Sequence, residues 1–376
     1  MATIVVIMDK WKGSLGAAEA LEAASAGLRE GLSRAAERYD IVTAFCPDGG
    51  EGTAAVLPIG GGIVECAAHD ALQRPLRASY RYNAATGTAA IDLAAASGLT
   101  LVPAYRRNPL VTTTFGTGEM IADAISRGAR HIIMCLGGSA TNDCGMGLLS
   151  ALGVTFRDGA GRELSPVGAS LGKVATIDTS ALDALRGVRF TLLCDVASPL
   201  CGPDGAARMF ARQKGADDAA VAALEAGAKR FARAIGGEML MEAPSAGAAG
   251  GAAFGLMALL GAEVMSGSAA VLDLLNIDAS LAAASLVITG EGSLDRQSLR
   301  GKTTGEVLRR CRALGVKVIG IAGRVEQRDE LLRAGFAEVV SVNDGYPATP
   351  LEEAMRPEVA AERLRATCRR LISRHP

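Results

Sequence analysis

The chain has 376 residues, enough for two domains, and its 49% hydrophobic and 21% charged content excludes an intrinsically disordered chain. A formal net charge of −1 gives no broad field for nucleic acid or an anionic membrane surface, and neither partner is expected. Three histidines leave little material for a His-based zinc site or a Ser-His-Asp triad, and the eight cysteines include no CxxC pair, so free thiols in a reducing cytoplasm are expected.

In chain order, TIVVIMD (3–9) reads as a first strand, since it lacks the basic and long apolar segments of a secretory signal, and it leads into KWKGS (10–14). AAEALEAASAGLREGLSRAAER (17–38) has a helical apolar period. The strand IVTAFC (41–46) leads into PDGGEGT (47–53). Residues 63–98 offer several short alternating strands without long helices between them, which reads as an inserted α+β region. GTGEMIADAISRGA (116–129) is helical, and HIIMCL (131–136) is a strand that could join either half. It leads into GGSATNDCG (137–145), with a helix from about Cys144. TLLCD (191–195) ends a strand on an acid, and AGAAGGAAFG (246–255) is a low-complexity piece. The apolar stretch around Ala246–Leu260 is broken by glycines and shorter than a membrane span. SLVITG (285–290) leads into EGSLDRQSLRGKTTG (291–305). A helix at Thr304–Leu314, a strand at 316–322, a helix at Glu326–Ala334 and a strand at 337–342 follow.

This rhythm predicts an α/β protein of two domains. Residues 1–65 plus 280–376 form a doubly wound, Rossmann-like parallel sheet domain, and 66–279 form an inserted second α/β (α+β) domain. The active site is expected in the cleft between them.

Glycine-rich polar loops placed just after buried strands are where α/β proteins bind ligands, and four of them rich in Lys, Asp, Glu, Ser, Thr and Asn point to anion handling and an enzyme acting on phosphates. There is no GxxxxGK[ST], because Arg296 holds the first glycine position ahead of Gly301-Lys302-Thr303, and no GxGxxG follows the first strand. Gly137 and Gly138 can aim backbone N–H groups at a phosphate, with Ser139, Thr141 and Asn142 as neutral donors and Asp143 as a metal ligand or a helix cap. Gly290 and Gly292 flank Glu291, which with Asp295 offers carboxylates for Mg²⁺ beside Lys302 and Thr303 for phosphate. Lys10, Lys12 and Ser14 could hold a phosphate or a carboxylate, and Asp48 and Glu51 supply acids after the second strand. Asp195, directly after an apolar strand, is a candidate general base or metal ligand, and Arg208, Arg212, Gln213 and Lys214 could lie near it.

At these residues the sequence resembles the bacterial type I glycerate kinase family (glycerate 2-kinases). The resemblance rests on DKWKGSLGAAEA (9–20), PDGGEGT (47–53), TTFGTGEMI (113–121), GGSATNDCGMG (137–147), CDVASPLCGPDGA (194–206), QKGA (213–216), AGAAGG (246–251), TGEGSLDRQSLRGKTTGEV (289–307) and GIAGRV (320–325), in matching order. The chain departs from the family's usual Asp-Ser-Phe-Lys-Gly-Ser type start at Lys10 and Trp11, has Cys144 where glycine is usual, and has Ala197-Ser198 in place of a common Asp-Asn pair.

The resemblance implies ATP-dependent phosphorylation of D-glycerate with Mg²⁺, giving 2-phosphoglycerate, by a cytoplasmic monomer or homodimer. In that frame Lys10, Lys12, Ser14, Asp48, Glu51 and Arg208 are the expected glycerate contacts, Asp195 the first choice of catalytic base and Asp48 the second, with Lys12 assisting. A kinase for a related hydroxy acid, or a sugar-acid sensor without turnover, are the alternatives.

Overall fold

The structure, a computed structural model, describes residues 2–33, 39–46, 52–299 and 302–374. Along the chain the strands are β1 (Ala2–Met8), β2 (Tyr39–Phe45), β3 (Gly62–His69), β4 (Pro75–Asn83), β5 (Thr88–Asp92), β6 (His131–Cys135), β7 (Thr155–Arg157), β8 (Thr176–Asp178), β9 (Arg189–Leu193), β10 (Glu263–Met265), β11 (Ala284–Leu294), β12 (Val318–Val325) and β13 (Glu338–Ser341). The chain divides into two compact units, Met1–Asp48 with Ser268–Pro376, and Gly49–Gly267.

The first unit holds one five-stranded sheet, ordered β13-β12-β11-β1-β2 and parallel throughout. β1 is buried on both faces over most of its length, which is why it reads as a continuous apolar run rather than an alternating one. Ile4, Val6, Met8, Ile288, Ile319 and Ile321 pack with Leu28 and Leu364 from the helices Ala17–Leu32 and Pro357–Ile372. The chain moves outward from β1 to β2, then resumes on the other side of β1 at β11 and continues to β13. That reversal makes the carboxyl ends of β1 and β11 a topological switch point, the place where open parallel sheets bind ligands.

The second unit holds a six-stranded mixed sheet, β10-β9-β6-β5-β4-β3, in which β5, β6, β9 and β10 run parallel and β3 and β4 are antiparallel. Phe156, Phe231 and Phe254 pack in its core in tilted and edge-to-face pairs, with neighbouring ring centroids 5.7 and 6.4 Å apart. The strand at 131–136 belongs here, as β6 between β5 and β9.

The unit boundaries differ from 65 and 280 for identifiable reasons. Gly52 and Ala54 donate their N–H groups to the Asp92 carboxylate at the end of β5, and β3 pairs along its length with β4, so this stretch belongs to the second unit. At the other boundary, the buried Arg310 guanidinium binds Asp273, Asp278 and the Ala269 carbonyl, which fastens residues from 268 onward to the helix Thr303–Leu314 of the first unit.

Candidate active site

The carboxyl ends of β1 and β11 open into a cavity of about 500 Å³ within the first unit. Asp9, Lys10, Lys12, Ser14, Glu291, Ser293, Lys302, Arg324 and Asn343 are among its polar lining, and Trp11, Val342, Leu351 and Met355 among its apolar wall. Trp11 and Leu15 close a tight turn, with Gly13 at φ +78°, a value that type II-like turns assign to glycine. The turn carries Lys10, Lys12 and Ser14 to the cavity on a fixed backbone.

Two carboxylates face this cavity from adjacent strands. Asp9 is buried, and its Oδ1 accepts the Lys10 N–H at 2.6 Å. Glu291 is 7% exposed; its Oε1 accepts from Thr304 Oγ1 at 2.6 Å and its Oε2 from Lys302 Nζ at 3.3 Å. Lys302 precedes the helix Thr303–Leu314 without a side-chain cap, so the first-turn N–H groups add positive potential beside its ammonium. Three lysines, Arg324 and two carboxylates therefore share one pocket, an arrangement suited to a polyanion carrying a divalent cation.

The second unit carries a separate cluster along the carboxyl edge of β5, β6 and β9. Asp195 follows β9, and its Oδ1 accepts from Ser266 Oγ at 2.7 Å and from the Gly267 N–H at 2.8 Å. After β6, Gly137 and Gly138 reach solvent, while Ser139, Thr141, Asn142 and Asp143 are buried. Gly250 (φ +67°) packs directly on this loop: a Cβ there would stand 2.0 Å from the Thr141 carbonyl oxygen. Lys214 reaches the loop through the core. It is 2% exposed, and its Nζ donates to Ser139 Oγ at 2.9 Å and the Thr141 carbonyl at 2.6 Å.

Burial pushes the Lys214 ammonium down to about 7, against the opposing pull of the Asp143 charge. The folded state then binds fewer protons than the unfolded state between about pH 7 and the ordinary 10.5, so stability should rise with pH across that window. Denaturant midpoints measured from pH 7 to 10 should show the rise, and Lys214→Met should flatten it. A wild-type profile that falls over this range would contradict the assignment.

A profile of the Glycerate kinase family matches residues 4–375. The chain belongs to that family. It is 40% identical over 374 residues to the Glycerate kinase of Bacillus subtilis (strain 168), covering 97% of this chain and 96% of that protein. It is 41% identical over 326 residues to the Glycerate 2-kinase of Escherichia coli (strain K12), covering 85% and 84% of the two chains. A crystal structure from Salmonella typhimurium LT2, described as "putative glycerate kinase 2", superposes with a TM-score of 0.83 at 37% identity, covering 100% of this chain and 98% of that one.

Within this glycerate kinase fold the expected site residues separate. Lys10, Lys12, Ser14, Glu291, Gly292 and Lys302 come together at one cavity, although the sequence reading divided them among substrate, nucleotide and metal. Gly290 lies one residue too deep: it is buried in β11, paired with Met8 and Ile321. Thr303 Oγ1 donates to the Cys46 carbonyl at 2.9 Å and ties the helix start to the end of β2. Asp295 folds back on its own turn, its Oδ1 accepting from the Gln297 and Ser298 N–H groups.

Asp143 does not suit a metal. It is fully buried, and its carboxylate accepts from Thr114 N (2.7 Å), Thr114 Oγ1 (2.8 Å), Gly145 N and Gly147 N (both 3.2 Å). Burial raises its carboxyl and those four donors pull it back, the behaviour of a structural cap at the helix Met146–Ala151. Thr141 and Asn142 are likewise enclosed rather than presented to a nucleotide. Arg208 is exposed on the helix Ala206–Phe210, and Asp48 and Glu51 lie outside the described residues.

Sequence reasoning passed over Asp9 and Asn343, and it gave Lys214 no separate role. Asp9 was legible as an acid ending a buried strand. Asn343 follows a four-residue strand with no motif around it, and only the sheet order brings it to the pocket. Cys144 adopts φ +51°, the left-handed region that glycine enters at no steric cost.

Proposed function

We propose that the chain transfers the γ-phosphoryl group of ATP to the 2-hydroxyl of D-glycerate, giving 2-phosphoglycerate and ADP. The observation that carries this reading is the gathering of Asp9, Glu291, Lys10, Lys12 and Lys302 at one switch-point cavity of a glycerate kinase family chain. The name of the E. coli relative, a Glycerate 2-kinase, supports the 2-hydroxyl as the acceptor.

Phosphoryl transfer asks the protein for positioning and charge neutralisation rather than covalent chemistry. Lys302 and the helix start behind it are the proposed phosphate contacts, with the open Gly137–Gly138 backbone as a further candidate. Lys10, Lys12 and Ser14 are the proposed contacts for the glycerate carboxylate, which needs a cation and convergent donors. Asp195 is the proposed acceptor of the substrate hydroxyl proton; Ser266 and Gly267 fix its orientation at the end of β9.

Among the described residues no three His, Cys, Asp or Glu side chains gather as a metal cage. That fits Mg²⁺, which is commonly held by one or two carboxylates together with substrate phosphates. Asp9 and Glu291 are the side chains that would hold it, and the ion would supply charge neutralisation to the phosphates. Glu291→Gln should then raise the Mg²⁺ concentration for half-maximal rate by roughly tenfold or more. An unchanged Mg²⁺ titration would remove Glu291 from that role.

The reading is tested by ADP release from the purified protein, which should require D-glycerate and Mg²⁺ together. ADP release indifferent to the omission of D-glycerate would overturn it.

A further inference from the structure

One wall of the cavity is built from chain that follows β13. Val342, Asn343, Leu351 and Met355 line it there, and Ala360 of the helix Pro357–Ile372 adjoins them. The sheet-like pairing ends where the Val342 N–H donates to the Ala322 carbonyl, so the segment from Asn343 onward needs another support.

Arg363 supplies it. The residue is 9% exposed and stands behind the wall, outside the set of lining residues. Its Nη1 donates to Asn343 Oδ1 at 2.5 Å and its Nη2 to Thr349 Oγ1 at 2.9 Å. The guanidinium carbon lies 4.0 Å from the centre of the Tyr346 ring, a cation–π contact. One side chain therefore grips the largely exposed 343–349 segment at both ends and in the middle.

This grip orients the Asn343 amide. A guanidinium only donates and a carbonyl only accepts. Asn343 Oδ1 faces Arg363, while Nδ2 donates to the Gly323 carbonyl at 2.8 Å, so both partners demand the same orientation. The oxygen end points to the buried arginine, and the nitrogen end to Gly323, itself a lining residue of the cavity. Farther along, Met355 Cε would stand 2.8 Å from a Cβ added at Gly13, so the wall leans on the turn that carries Lys10, Lys12 and Ser14.

We infer that Arg363 is a positioning residue for ligand binding. By fixing Asn343 it sets the wall against which the anion in this cavity is held, and it keeps the amide nitrogen, the donor, on the cavity side. The inference rests on the kinase reading for the identity of that anion, since a glycerate carboxylate and a nucleotide phosphate offer the same oxygen acceptor.

Calorimetry with D-glycerate and with ATP–Mg²⁺, run beside steady-state kinetics on the full chain, tests it. Arg363→Met removes the donors and keeps an unbranched apolar stem. Folded protein carrying it should bind one or both ligands roughly tenfold more weakly, with a larger rise in the corresponding KM than loss of kcat. Weaker D-glycerate binding assigns the wall to the carboxylate, weaker ATP–Mg²⁺ binding assigns it to a phosphate, and weakening of both assigns a wall the two share. Because Arg363 acts through Asn343, adding Arg363→Met to Asn343→Leu should weaken binding by no more than about twofold further. An arginine that merely stabilises the fold would leave the affinity of folded protein unchanged.

Should Arg363→Met not fold, Arg363→Lys carries the same comparison: a single ammonium lacks the fork that spans Asn343 and Thr349, and a loss of roughly threefold is expected. A folded Arg363 variant that binds both ligands as tightly as wild type would overturn the inference, and so would a full tenfold further loss in the double variant. With turnover intact, either result leaves the kinase reading standing. If wild-type protein binds neither ligand and releases no ADP, the kinase reading fails and takes the inference with it.

Discussion

Asp195→Asn should lower kcat on D-glycerate by roughly 10²-fold or more, the scale of losing a general base. The substitution is chosen because asparagine keeps an oxygen where Ser266 Oγ and the Gly267 N–H now donate to Asp195 Oδ1. The local fold should survive, and what disappears is the negative charge and its affinity for a proton. KM for glycerate should move by much less than kcat, because the carboxylate contacts are assigned to Lys10, Lys12 and Ser14. Steady-state kinetics on protein with a wild-type melting profile checks this. Near wild-type turnover would remove Asp195 from the role.

Asp143→Ala should act on stability instead. Its carboxylate is fully buried and satisfies four donors from Thr114, Gly145 and Gly147, and its charge also opposes the desolvation of Lys214. Alanine leaves those donors without partners and the lysine without a counter-charge. A loss of about 3–5 kcal/mol is expected, the range for breaking one side of a buried charged network. Denaturant unfolding followed by circular dichroism measures it, and a loss below about 1 kcal/mol would show that the loop holds its shape without the carboxylate. Together the two variants separate the acid proposed for chemistry from the acid that builds the loop.

The fold was legible wherever local periodicity and burial agree. β1, β6 and the helix Ala17–Leu32 announce themselves as apolar runs or helical stripes, and the elements from β11 to β13 fall close to their expected places. β11 is the instructive exception. It extends to Leu294, four residues past the expected end of the strand, because Glu291, Ser293 and Leu294 still pair with β12. Glycine and polar residues conceal a strand whose continuation depends on a partner distant in sequence. The low-complexity segment is opaque for a similar reason: Ala249, Gly250 and Gly251 all adopt left-handed backbone inside the span Ala248–Leu260, a shape set by packing on the 141–144 loop.

The site was legible as a set of residue types and less so as a set of roles. Motif position brought Lys10, Lys12, Ser14, Glu291 and Lys302 to notice, and the switch point between β1 and β11 explains why they meet. Polar residues just after a strand are ambiguous, because the same side chains bind anions and cap turns. Asp143, Asp295 and Thr303 are engaged in local structure, which becomes visible only once their hydrogen-bond partners are known. Lys214 carries the opposite lesson, since a lysine in a short turn gives no sign that the core will enclose it.

The account turns on the reaction itself. Phosphorus NMR of the purified protein incubated with D-glycerate, ATP and Mg²⁺ tests it most directly. The expected result is a 2-phosphoglycerate resonance growing in step with ADP. A 3-phosphoglycerate resonance would contradict the assigned hydroxyl, and folded protein that forms no phosphoglycerate while ATP stays intact would contradict the proposed function as a whole.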